Sequence, residues 1–247
     1  INPWIEVSES SWDGRFFCSQ CQVLTERYSY VARTDAGVRY EKMWDRGFWS
    51  LSAMNGEGSK KDEEGAGKDY QYLIHYLPWG AETQSHRALS LSYIRGKYEN
   101  LDPSMSTRER VMLMYQHLQK WGWSTAVESF WGKDPVDAIQ LKVADQVNLS
   151  DHGGEWAPSF AWSWLLKYSF LFRNETRPVE AFFRHDELNP MTSTGGRWLR
   201  QELLGFCFYP RQALQFSVAW SQVNYGSSHS SAVGDSQALS LTTDLHF

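Results

Sequence analysis

The feature that most constrains this chain is an unbroken alternation of large apolar and small or polar residues between 158 and 172. Even positions carry Phe160, Trp162, Trp164, Leu166, Tyr168, Phe170 and Phe172, while odd positions include Ala161, Ser163, Lys167 and Ser169. A period of two sends successive side chains to opposite faces of a β-strand. A half-buried soluble strand alternates over about four to eight residues, whereas this run continues for about twelve, close to the roughly 9–11 that a tilted membrane strand needs. The pattern recurs in Leu214, Phe216, Val218 and Trp220 against Gln215, Ser217, Ala219 and Ser221. It returns in Leu239, Leu241, Thr243, Leu245 and Phe247 against Ser240, Thr242, Asp244 and His246.

Composition decides which solvent those strands face. The 247 residues include 13 Trp, 12 Tyr and 13 Phe, yet the mean hydropathy is −0.52. No stretch approaches the roughly 18 consecutive apolar residues of a membrane helix. A closed β-barrel is then the one membrane architecture left, since its strands can be apolar outside and polar inside. The net charge of −5 offers no basic footprint for nucleic acid and no polybasic membrane anchor, so no nucleic-acid partner is expected. The sequence opens at Ile1 without a charged and then apolar leader, as expected of a mature exported chain or one that never carried a signal.

Proline cannot donate to a ladder and belongs between strands or at their ends. Pro3, Pro78, Pro103, Pro135, Pro158, Pro178, Pro190 and Pro210 obey this for strands at 1–10, 36–45, 47–56, 69–78, 87–98, 107–119, 121–132, 158–172, 178–188, 197–209, 212–225 and 237–247. The expectation is an all-β fold, a transmembrane antiparallel β-barrel of about 12 strands forming one domain over 1–247, with both termini periplasmic. Short turns fall at Asp45–Arg46, 79–86, 119–121, 173–177 and 210–211. Long polar connections fall at 11–35, 56–68, 99–106, 133–157, 189–196 and 226–236, all on the extracellular side. Segment 57–68 reads as a solvated low-complexity loop. Trp44, Tyr76, Trp79, Trp121, Trp123, Phe172 and Tyr209 gather near the short turns as an interfacial girdle would. That placement disfavours a soluble sandwich or lipocalin-like barrel, and the bacterial outer membrane, with its lipid as partner, is the expected location.

Several motifs carry a family resemblance. The run Gly37-Val38-Arg39-Tyr40-Glu41, then Phe48 to Met54 followed by Asn55-Gly56-Glu57-Gly58, then Lys68-Asp69-Tyr70, resembles a succession found in the phosphate-selective porin O and P family. Phe182 to Asn189 and the hairpin from Leu203 to Asn224 are similar to that family's late strands, and together the motifs cover about two-thirds of the chain. Porins of that family resemble trimers of about sixteen strands, so this chain would be a shortened relative and a possible homo-oligomer. The ending Leu245-His246-Phe247 resembles the aromatic-terminated assembly signal of outer-membrane proteins, which implies the barrel-assembly machinery as a partner.

The face opposite the lipid offers Arg39, Glu41, His75, Arg110, Glu128, Lys167, Glu180, Arg184, Asp186, Asp244 and His246 as pore-lining residues. Their signs are nearly balanced, where an anion pore would want rings of Arg and Lys. Such charges could instead pair across the lumen and plug a narrow bore. Arg95 and Arg200 fall on the lipid side, so each strand either holds a bulge there or has left the hydrocarbon. Cys18 and Cys21, in Cys-Ser-Gln-Cys, read as a local disulfide, with a redox dithiol or half a zinc site as alternatives; Cys207 stands apart in a strand. No metal or other cofactor is expected.

His229-Ser230-Ser231 matches the His-x-Ser of outer-membrane phospholipase, but it sits in a Ser- and Gly-rich loop without an orienting acid, so no enzyme is expected. His185-Asp186-Glu187 alternates faces and keeps at most two ligands together. The expected function is a porin-like channel for passive diffusion of small polar or charged solutes, with the longest loop, 133–157, folding inward to constrict it and deletion of 137–150 raising conductance. The alternative is a plugged barrel serving as a structural or partner-binding component of an envelope assembly, and a lipid hydrolase comes last.

Overall fold

The computed structural model describes residues 2–9, 31, 35–55, 68–80, 85–97, 107–119, 122–135, 156–171, 178–190, 192, 199–211, 214–225 and 235–245. One helix, α1 (Pro3–Glu9), precedes β1 (Gly37–Trp44), β2 (Gly47–Met54), β3 (Asp69–Tyr76), β4 (Ser85–Lys97), β5 (Thr107–Gln119) and β6 (Gly122–Pro135). Then follow β7 (Trp156–Leu171), β8 (Pro178–Asn189), β9 (Leu199–Arg211), β10 (Leu214–Tyr225) and β11 (Ser236–Leu245). The eleven strands form one sheet in chain order, each antiparallel to the last. Connections alternate as the proline spacing predicts. The short ones, such as Asp45–Arg46, gather at one end of the sheet, and the long ones, such as 136–155, at the other. Among the described residues no helix is long and apolar enough to cross a membrane.

The first of the twelve expected strands is a helix instead. Asn2 caps it: the Asn2 Oδ1 accepts a hydrogen bond from the Trp4 backbone N–H at 3.0 Å, and the Glu6 N–H donates to the Asn2 carbonyl at 3.0 Å. Pro3 sits at the first helical position, where its fixed φ suits the helix and its missing N–H leaves no bond unmade. Local capping chemistry at Asn2 and Pro3 overrides the strand expected over 1–10.

The sheet is inside out relative to a water-soluble fold. Leu241 is 78% exposed, Phe206 56% and Leu113 42%, while Ser163, Gln116 and Glu128 on the opposite face are 0% exposed. The same face also buries an apolar cluster that includes Leu73, Ile94, Met112, Met114, Phe130 and Leu203. In water this arrangement would strand a broad apolar surface, far beyond the few hundred Å² that soluble monomers tolerate. In a bilayer it is the expected alternation, apolar outward and polar inward.

The outward band has polar borders. On β4 it runs from Arg87, whose guanidinium lies over the Trp79 ring at 5.2 Å, to Arg95. That interval is about 27 Å along the strand, which a tilt of about 40° reduces to roughly 20 Å of height, near the apolar band of a membrane barrel. Arg95 and Arg200 do point outward, and the ladders hold no bulge at either. Both stand at the long-connection border with acidic neighbours, Arg95 with Glu109 at 3.7 Å and Arg200 with Glu187 at 3.7 Å. Of the two expected explanations, a bulge is absent from the described ladders.

Among the described residues the strands number eleven, so β1 and β11 run in the same direction. Among the described residues no ladder joins them.

Candidate functional site

The enclosed face of the sheet is the candidate site, and α1 lies on it. Seven residues give a helix about 10 Å long. Trp4 and Ile5 are fully buried, and Val7 nearly so. The Trp4 indole Nε1–H donates to Glu128 Oε1 on β6 at 2.9 Å. From β5, Gln116 Nε2 donates to the Val7 carbonyl at 2.8 Å, which satisfies an acceptor left over at the helix end. Asn2 Nδ2 contacts the Met54 sulfur on β2 at 3.8 Å, and Arg39 on β1 pairs with Glu6 at 2.5 Å. The helix is thus fastened to β1, β2, β5 and β6 at once. Strands that far apart in the ladder can reach one short helix only if the sheet curls around it.

Arg39, Glu41, His75, Arg110, Glu128, Lys167, Glu180, Arg184 and Asp186 share the enclosed face, and most of their charges meet an opposite charge close at hand, Glu128 accepting instead from the Trp4 indole. Arg39 also pairs with Glu41, two residues along the same strand. Arg110 donates to both oxygens of Asp134, at 2.7 and 3.3 Å. Lys167 meets Glu180 at 3.2 Å, and Glu180 accepts from the Ser169 hydroxyl at 2.8 Å. Arg184 lies 2.7 Å from Asp186, which also accepts from Ser163. His75 shares a hydrogen bond with the Ser90 hydroxyl at 2.9 Å and stacks on His86 and Phe48. Among the described residues these charges pair along one strand, with a neighbouring strand or, for Arg39, with Glu6 of α1. Antiparallel register brings these groups within reach of each other, and a short local contact leaves neither charge stranded. Asp244 stands opposite Gln215 in the last ladder; its side chain, His246, Cys18, Cys21, the 137–150 loop and the His229 motif lie outside the described residues.

Sequence reasoning missed Trp4 and Gln116, which hold the helix, and the buried pair Asp69 and Arg108. Arg108 on β5 reaches over β4 to Asp69 on β3, with Nε 2.7 Å from Oδ1. The strand it crosses presents Gly96, directly opposite Arg108 in the ladder. A Cβ at Gly96 would stand 1.7 Å from Asp69 Oδ1 and 2.8 Å from Arg108 Nε. The glycine is what lets an ion pair arch across an intervening strand. Gly96→Ala is expected to lower stability by about 1–3 kcal/mol by displacing the buried carboxylate. Urea-dependent unfolding in detergent would show it, and an unchanged midpoint would mean that Asp69 has room to move without losing Arg108.

Comparison with known proteins adds little. No family model matches the chain, and no curated protein matches it. Among solved structures, the chain is similar to one titled "NanC porin structure in rhombohedral crystal form", at 6% identity and a TM-score of 0.41, over 85% of this chain and 92% of that one.

Proposed function

We propose that this chain is a porin-like β-barrel of the bacterial outer membrane, a passive route for small polar or charged solutes whose lumen is occupied by its own helix α1. The observation that carries the reading is the inversion of the sheet, with Glu128, Arg184 and Asp186 enclosed and Leu204, Phe206 and Val218 outside. A polar enclosed face with an apolar outer band is what a diffusion path through lipid needs. The short-connection end would face the periplasm, with both termini there, as the run of short turns implies. The local neutralisation of Arg110, Lys167 and Arg184 argues against strong anion selectivity.

A second reading has its own observation. The enclosed face carries a continuous apolar cluster from Leu73 through Phe130 to Leu203, joined by Trp4 and Ile5 of α1. An interior filled in this way suits a closed barrel that serves as a component of an envelope assembly. Planar-bilayer conductance of the purified chain, with the reversal potential taken under a salt gradient, separates the two. Discrete steps with weak ion preference are expected of the channel. A folded, heat-modifiable barrel that gives no steps would favour the closed scaffold.

A further inference from the structure

The outer surface is not uniform at the long-connection border. In the ladder across β4, β5 and β6, Arg95, Glu109 and Lys133 stand side by side, and Lys97 lies one outward position beyond Arg95. Three cations and one acid give this stretch a local excess of positive charge. The three cations are exposed; the Arg95 side chain keeps 65% of its surface in the open although Glu109 is 3.7 Å away. The Lys133 ammonium sits over the Trp156 ring at 4.8 Å, an aromatic of the kind that occupies the headgroup level. Immediately below, toward the middle of the band, the same strands present Leu91, Tyr93, Val111, Leu113 and Trp131. Strands about 4.8 Å apart and outward residues about 6.8 Å apart along a strand put the three cations within roughly 12 Å of one another at the backbone.

The border on β8 and β9 differs. There Glu187 and Glu202 outnumber Arg200, and His185 lies 3.6 Å from Glu202. No excess of positive charge exists on that side among the described residues.

We propose that Arg95, Lys97 and Lys133 form a site for the phosphate of an anionic membrane lipid, its acyl chains lying down the apolar strip of β4 to β6. This rests on the membrane reading above and gives it a particular partner at a particular place. The charge complementarity is that of cations for phosphate at a membrane surface, and the apolar strip directly beneath supplies what a free anion would not use.

The test uses the full chain reconstituted in vesicles of equal parts phosphatidylglycerol and phosphatidylcholine, then transferred to detergent and titrated with each lipid by native mass spectrometry. Retained phosphatidylglycerol is expected in preference to phosphatidylcholine, and each cation replaced by Gln is expected to weaken it roughly fivefold. The combined R95Q, K97Q and K133Q variant should lose the preference, while a variant with Arg95→Lys, Lys97→Arg and Lys133→Arg should keep it. Arg200→Gln, on the other wall, should leave it unchanged. Equal retention of both lipids, a triple Gln variant that binds like the parent, or displacement of the lipid by millimolar inorganic phosphate would overturn the proposal. Heat-modifiable mobility on gels reports whether each variant is folded. A chain that does not float with the vesicles at all would overturn the membrane reading and this proposal with it, whereas a chain that inserts without lipid preference overturns this proposal alone.

Discussion

A chain lacking residues 2–9 is expected to conduct several-fold more than the full chain in the same bilayer. With its side chains a helix is about 10–12 Å across, so its removal vacates a path wide enough for small hydrated solutes. The groups left behind, Glu128 on β6 and Gln116 on β5, are polar and can take water in place of Trp4 and Val7. Trp4→Ala should act in the same direction by a smaller amount, since truncating a fully buried Trp costs about 3–5 kcal/mol and here loosens the helix more than the strands. If the deleted chain folds, as its heat-modifiable mobility would report, and still conducts as the parent does, α1 is not what limits passage.

Arg110→Ala should lower stability by about 3–5 kcal/mol, because it abandons the buried Asp134 carboxylate. The pair is among the most enclosed in the sheet, with 7% and 2% of the two side chains exposed. Replacing both partners by apolar residues of similar volume, Arg110→Met with Asp134→Leu, should restore most of the loss, since no unmatched charge remains. Equilibrium unfolding in detergent monitored by Trp fluorescence gives the midpoints. The size of the single-variant effect also reports on function. A loss near zero would show that water reaches Asp134 and that the enclosed face is wet, whereas the full loss would describe a dry interior and favour the closed scaffold.

Much of the architecture was legible because strand alternation is a direct record of which solvent each face meets. The residues from Phe160 to Phe170 sort by parity, with Ser163 and Ser169 enclosed and Tyr168 exposed, as the sequence pattern predicts. Parity also placed Arg39, Arg110, Glu128 and Arg184 on the correct face. It could not say whom they pair with, since that depends on register: Asp134 became the partner of Arg110 only because Arg110 lies opposite Gly132, one diagonal step away. The Arg108–Asp69 arch was illegible for the same reason, and it depends on a glycine whose importance is a missing atom. The helix was missed although its start signal is present, Asn2 as cap and Pro3 at the first position. Seven residues span about two turns, too few for a 3.6-residue period to stand out against a period of two.

The contacts of α1 also bear on the order in which the molecule can be built. Trp4 meets Glu128 across 124 residues of chain, and Val7 meets Gln116 across 109. An isolated helix of this length does not persist in water, because too few hydrogen bonds follow its costly nucleation. The segment is therefore expected to gain its helical form only as β5 and β6, near the middle of the chain, arrive to hold it. The sheet is not expected to curl up empty and then admit a stopper. It wraps around a segment that acquires its own shape in the same event, so the wall and the helix are expected to fold as one cooperative unit whose rate is limited by these long-range contacts.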